Sequence, residues 1–212
     1  MTDQHLTLSF GLSPNVLALL QLSFESLNTR ECGEPHREIP AEIFRFSPHA
    51  YQSVGAPYSK YSPFSVRETV ATKLTSVTRE LREHGLALKF FDGYRPLAVQ
   101  QFMVERTFQE FRDAERNAGE PDEEIWEQVF TLWARPNHDP LYPPPHSTGG
   151  AVDVTLVDTL NPVIHQRRAL LAATMSDAGF APLLHEWWHF SYGDRHWAVA
   201  TGATAAIYGR VE

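Results

Sequence analysis

The sequence predicts one α+β domain. Three observations carry this. Helix-period and strand-period stretches follow one another without the strict alternation of a parallel α/β fold. No internal repeat sets a period, and no linker-like segment cuts the 212 residues in two. A chain of this length buries one good core. Apolar residues make up 42% and charged residues 21%, an ordinary soluble balance.

The elements follow in order. Residues 1–65 are poorly periodic, and "CGEPHREIPAEIF" and "SVGAPYSKYSPFS" read as loops with short strands between them. In "VRETVATKLTSVTRELREHG", Val70, Leu74, Val77 and Leu81 recur at helical spacing, and Gly85 is placed to stop the helix. "LALKFFDGYRP" reads as a strand ending in a turn, since Pro96 disfavours a helical Arg95. A second helix starts near Leu97. "PDEEIWEQVFTLWA" gives a third, with Pro121 and the early acids suited to its first turn. A Pro/Gly-rich loop, "RPNHDPLYPPPHSTGG", leads into the β-branched strand "AVDVTLVD", where Asp153, Thr155 and Val157 share one face. "HQRRALLAATMSDAGF" is a helix ending near Gly179, and "APLLHEWWHFSYGD" a strand with a turn near Gly193.

Composition excludes some functions. The net charge of −8 argues against a nucleic-acid surface. Cys32 is the single cysteine, so no intrachain disulfide forms. The first residues lack a basic segment, and "NVLALLQL" is too short to span a bilayer. The expectation is a cytoplasmic protein with no nucleic-acid or membrane partner.

"HEWWHF", His185 to Phe190, matches the H-E-x-x-H pattern of zinc proteases. That reading needs both histidines on one helical face. Pro182 and Gly193 leave at most about three turns, and the aromatic run Trp187, Trp188, Phe190, Tyr192 favours a strand. Another trio fits better. "HSTGGAVD" puts His146 at a loop end and Asp153 on a strand, with Gly149 and Gly150 free to turn the backbone between them. His189 adds a third donor. Two imidazoles and a carboxylate suit tetrahedral zinc with one open position. Glu186 is placed to take a proton from the bound water. Glu186 and His189 are three apart, so the strand must bend or bulge between them.

"FDGYRP", "HSTGGAVDVTL" and "EWWHF", in that order, resemble the signatures of the D-alanyl-D-alanine dipeptidases. These are the VanX-like branch of the zinc D-Ala-D-Ala peptidases, which include the Hedgehog-like metallopeptidases. The likeness spans residues 66–197. It implies a central, mostly antiparallel sheet flanked by helices. It also implies a peptidase core over 66–212, with 1–65 as an N-terminal segment packed on it. It implies one zinc per chain on His146, Asp153 and His189, Glu186 as the catalytic base, and Arg95 as the group that stabilises the charged tetrahedral intermediate. His185 matches no ligand position. The substrate implied is a small D-amino-acid peptide. Asp92 and Tyr94 either brace the "DGYRP" turn or, for Tyr94, line the pocket.

The dipeptidases carry a long insertion after the aspartate strand, with an acidic residue that holds the substrate ammonium. Here "AVDVTLVDTLNPVIHQRRALL" passes almost directly into a helix. A shorter lid admits longer peptidoglycan peptides, so a carboxypeptidase or endopeptidase is the alternative. Asp158 is the nearest acid for the ammonium. A zinc- or peptide-binding domain without catalysis is a second alternative, against which Glu186 and Arg95 stand. His138, His165 and His196 read as ordinary surface or core residues.

Overall fold

The computed structural model describes residues 27–158, 164–183 and 186–211. "NVLALLQL" and His185 lie outside them, as do the side chains of Asp158 and His165. Among the described residues no helix is long and apolar enough to cross a membrane.

One mixed domain is built on a five-stranded sheet ordered β3-β5-β6-β8-β7. Its strands are β3 (Phe44–Arg45), β5 (Leu86–Asp92), β6 (Ala151–Asp158), β8 (Glu186–Ser191) and β7 (Ala181–Leu183). Only β3 runs parallel to its neighbour; the other pairings are antiparallel. Two small ladders lie beside this sheet. β1 (Asn28–Thr29) pairs with β9 (Ala205–Ala206), and β2 (His36–Glu38) with β4 (Ser65–Arg67).

The core follows from side-chain period. In β5, Leu86, Leu88 and Phe90 point inward on every second residue. In β6, Val152 and Val154 are fully buried. Against them lies helix α2 (Glu68–Glu83), whose Val70, Leu74, Val77 and Leu81 stripe is the one its spacing predicts. Gly85 ends it with φ +68, a left-handed conformation that suits glycine. Helix α5 (Ile164–Asp177) adds Leu171 and Met175 to the same core. A short helix, α1 (Ala50–Ser53), precedes β4.

Helices α3 (Leu97–Arg112) and α4 (Asp122–Leu132) form a hairpin with a separate apolar cluster: Val104, Phe108, Ile125 and Val129. The acids Asp122, Glu123 and Glu124 occupy the first turn of α4, where the helix dipole favours negative charge.

The structure departs from the sequence reading at "APLLHEWWHFSYGD". The segment makes two antiparallel strands, β7 and β8, rather than one. The apolar run carries no Gly or Asn to mark the reversal. After Gly193, helix α6 (Arg195–Thr201) begins with the Asp194 side chain accepting from the Trp197 amide at 2.8 Å.

His36 of β2 stacks on Tyr61 at 4.4 Å and meets Tyr94 edge-on at 5.0 Å. Burial, reinforced by the Arg67 charge, lowers its pKa to about 4. The unfolded ring takes up a proton near pH 6.5. Between these values the unfolded chain binds more protons, so stability falls as pH falls through that window. In urea titrations at pH 7 and pH 5, His36→Phe is expected to lose less stability on acidification than the parent. An equal loss in both removes His36 as the cause.

Candidate metal centre

His146 sits in a single 3-10 turn, Pro145–Thr148. Gly149 leaves that turn at φ +72, and a Cβ there would lie 2.5 Å from the His36 ring. A Cβ on Gly150 would lie 2.3 Å from the Tyr192 carbonyl oxygen. The two glycines therefore let the His146 loop press against His36 of β2 and against the backbone just past β8 as it enters β6. Asp153, the third residue of β6, is the register partner of His189 on β8.

Glu186 reaches the same region through an irregularity. Pro182 of β7 pairs with Phe190, but the next residue, Leu183, pairs with Glu186. Trp187, Trp188 and His189 are thus taken up across one step of β7. This bulge breaks the alternation that would send residues three apart to opposite faces. It brings Glu186 Oε2 to 3.7 Å from His189 Nδ1. The two indoles pack edge to face at 5.5 Å, and the Arg168 guanidinium lies 4.1 Å over Trp187. Glu186–Ser191 is a strand, so His189 stands on a strand rather than a helix. His185 itself lies outside the described residues.

The hydrogen bonds fix the two imidazoles. His146 Nδ1 lies 2.8 Å from the Gly93 carbonyl oxygen. A carbonyl only accepts, so Nδ1 carries the proton and Nε2 is bare. His189 Nε2 is 3.3 Å from Ser191 Oγ, which leaves Nδ1 facing inward. His146 Nε2 and His189 Nδ1 stand 3.1 Å apart, and Asp153 lies 3.2 Å from His189 and 3.5 Å from His146. All three side chains are buried, and their ligand atoms lie within 4.8 Å of one another. The three side chains are placed so that one metal ion could be held among them. Burial opposes charge on both His146 and Asp153, but their mutual attraction prevails. It holds the His146 imidazole above its ordinary range and the Asp153 carboxyl well below its own.

Arg95 closes one side. A bulge at Phe91 sets Asp92 opposite Asp153 in the β5–β6 ladder. Asp92 Oδ2 accepts from Arg95 Nε at 2.7 Å and pairs with Nη2 at 2.6 Å. Arg95 Nη1 donates to Gln100 Oε1 at 3.0 Å, and Nη2 lies 3.6 Å from Asp153 Oδ2. The Arg95 amide donates to the His146 carbonyl at 3.1 Å, tying this turn to the metal loop. Tyr94 braces the turn: it is 2% exposed, and its hydroxyl donates to the Val211 carbonyl at 3.1 Å.

Three groups around Arg95 escaped sequence reasoning. Tyr51 lies under the guanidinium at 5.1 Å and Trp133 lies at 5.5 Å. His49, buried among aromatic rings, sets Nε2 3.4 Å from the other oxygen of Asp92. Tyr51 and His49 come from the aperiodic first third of the chain, where no motif marks them. A groove of about 580 Å³ lined by Gln101, Trp126, Phe130 and Arg135 lies on the α3–α4 hairpin. None of the five site residues lines it.

A family model described as D-Ala-D-Ala dipeptidase matches residues 45–165. The match takes in Arg95, His146 and Asp153. A D-alanyl-D-alanine dipeptidase of a Synechocystis strain is 36% identical over 86% of this chain and 94% of its own length. The chain belongs to the D-Ala-D-Ala dipeptidase family. It is a metallopeptidase. The alignment to the Synechocystis member is 232 residues long, more than this whole chain, so that relative carries residues absent here. Solved structures similar to this family member include a vancomycin-resistance D,D-pentapeptidase VanY in complex with Zn(II). It covers 81% of this chain and 90% of its own, at TM-score 0.49 and 17% identity. DacB of Streptococcus pneumoniae covers 68% and 79%, at TM-score 0.41 and 18% identity.

The close approach at Gly150 is testable. Gly150→Ala is expected to push the His146 loop away from the Tyr192 backbone, costing about 1–3 kcal/mol of stability and most of the metal uptake. Urea denaturation and elemental analysis measure the two losses. A variant with the parent's stability and metal content shows that the contact is not required.

Proposed function

We propose that this protein hydrolyses the peptide bond of D-Ala-D-Ala-type dipeptides, with one zinc held by His146, Asp153 and His189. The observation that carries this reading is the meeting of three acceptor atoms from a loop and two strands, with a carboxylate and a buried guanidinium beside them. Two imidazoles and one carboxylate are the donor set of a catalytic zinc with one open position. Zinc held there supplies a Lewis acid that polarises the scissile carbonyl and acidifies water.

The chain's own groups do the rest. Glu186, with its side chain 40% exposed, is open to substrate and water. It takes the proton of the attacking water and returns it to the leaving amine. Arg95, fixed by Asp92 and Gln100, holds positive charge where the carbonyl oxygen becomes negative. Its orientation is set before substrate arrives, so little reorganisation is needed in the transition state. Family membership and the Synechocystis dipeptidase support the dipeptide substrate.

A second reading concerns substrate length. Only five residues separate the end of β6 from the start of α5, and the Synechocystis relative is longer than this chain. A site with less chain over it takes a longer peptide, so peptidoglycan stem peptides ending in D-Ala-D-Ala are substrates as well.

Two variants separate metal from base. His146→Ala is expected to lose zinc by elemental analysis. Glu186→Gln is expected to keep zinc while kcat on D-Ala-D-Ala falls about 10²–10⁴-fold. Full zinc in the first variant, or near-parental turnover in the second, removes that residue from its role.

Initial rates on D-Ala-D-Ala and on a stem tripeptide with the same C-terminus test the second reading. Both are expected to be cleaved. Fast cleavage of the dipeptide beside none of the tripeptide means that another part of the chain closes the site.

A further inference from the structure

Arg95 is almost fully engaged by the protein itself. Nε and Nη2 both bind Asp92 Oδ2, Nη1 donates to Gln100, and Nη2 also reaches the Tyr51 hydroxyl at 3.4 Å. Of five N–H donors, four point at protein groups. Arg95 therefore supplies charge to the site, but little of its hydrogen-bonding fork is left to grip a substrate oxygen. A neighbouring donor is needed for that.

Tyr51 meets the requirement. One guanidinium nitrogen, Arg95 Nη2, lies 3.4 Å from the Tyr51 hydroxyl and 3.6 Å from Asp153 Oδ2, so the hydroxyl stands at the edge of the metal centre. Asp153 and Glu186 are among the charges that act on it. The ring is held from three sides: Arg95 over one face at 5.1 Å, Trp133 at 5.5 Å, and His49 edge-on at 5.1 Å. Because the hydroxyl oxygen accepts from Arg95, its own hydrogen is free to point elsewhere. Burial pushes its pKa up to about 12, so it stays a donor across the working pH range.

We propose that Tyr51 is a further catalytic residue, its hydroxyl donating a hydrogen bond to the substrate carbonyl oxygen as that oxygen becomes an oxyanion beside Arg95. No covalent bond to tyrosine forms, and its proton stays on the phenol throughout. The proposal rests on the zinc-peptidase reading above and adds to it a donor that reading does not contain. It also divides the work: Arg95 gives long-range charge, and Tyr51 gives the directed contact.

The test compares zinc-loaded parent with Tyr51→Phe, which keeps the ring and its packing, on whichever of the dipeptide and the stem tripeptide the parent cleaves faster. Zinc content and urea midpoint are measured alongside. The expected result is unchanged zinc, KM within about threefold, and kcat lower by about 10²–10³-fold, the usual effect of removing one oxyanion donor. A phosphinate analogue of the dipeptide, which mimics the tetrahedral oxyanion, is expected to lose affinity by a similar factor. A kcat within threefold of the parent overturns the proposal while leaving the peptidase reading intact. The same substitution in an Arg95→Lys background tells contact from positioning. A further loss that persists there supports direct donation; a loss that disappears means Tyr51 acts only through Arg95, which overturns it. A parent that cleaves neither peptide sinks the peptidase reading, and this proposal with it.

Discussion

The buried guanidinium of Arg67 holds three distant parts of the chain in one place. It donates to the carbonyl oxygens of Thr148, Glu34 and Gly209 and forms a two-pronged pair with Glu31. Those acceptors belong to the loop that carries His146, to the segment before β2, and to the tail after β9. A buried charge is costly unless its donors are all met, and here the fork geometry of arginine meets a carboxylate and three carbonyls at once. Thr148 is two residues from His146. The position of His146 is therefore set by an interaction whose other ends lie far away along the chain.

A single strand then serves both core and chemistry. Along β6 the alternation sends Val152 and Val154 into the apolar interior and Asp153 to the other side. The same period-2 rule that builds the core aims the carboxylate. β8 obeys the rule at His189 and breaks it at Glu186, where the bulge opposite β7 changes the phase. Regular pairing positions Asp153 and His189, and an irregular one positions Glu186.

Much of this was legible in the sequence for identifiable reasons. The α2 stripe has strong 3.6-residue periodicity and a glycine stop, so its position and buried face follow directly. "HSTGGAVD" was legible because its spacing and glycines have a mechanical meaning, and the structure brings His146, Asp153 and His189 within reach of one ion. The need for a bend between Glu186 and His189 followed from strand geometry, and the bulge lies there. Tyr51 and His49 were not legible. Tyr51 reaches Arg95, and His49 reaches Asp92, across more than forty residues from a segment with no period, through packing that no local pattern encodes. The β7–β8 reversal was missed because an apolar aromatic run looks alike whether it forms one strand or two.

The α3–α4 hairpin has its own small apolar cluster, yet it is wired to Arg95. Gln100 of α3 accepts from Arg95 with its carbonyl and donates with its amide to the Ala134 carbonyl just past α4, at 2.7 Å, and Trp133 lies beside the guanidinium. That cluster, four buried residues with four partly buried aromatics packed on them, is smaller than the main core and melts more easily. Mild denaturant or warming would fray this hairpin while the sheet and its metal donors persist. Activity would then disappear ahead of the global transition, and the protein would switch off before it comes apart.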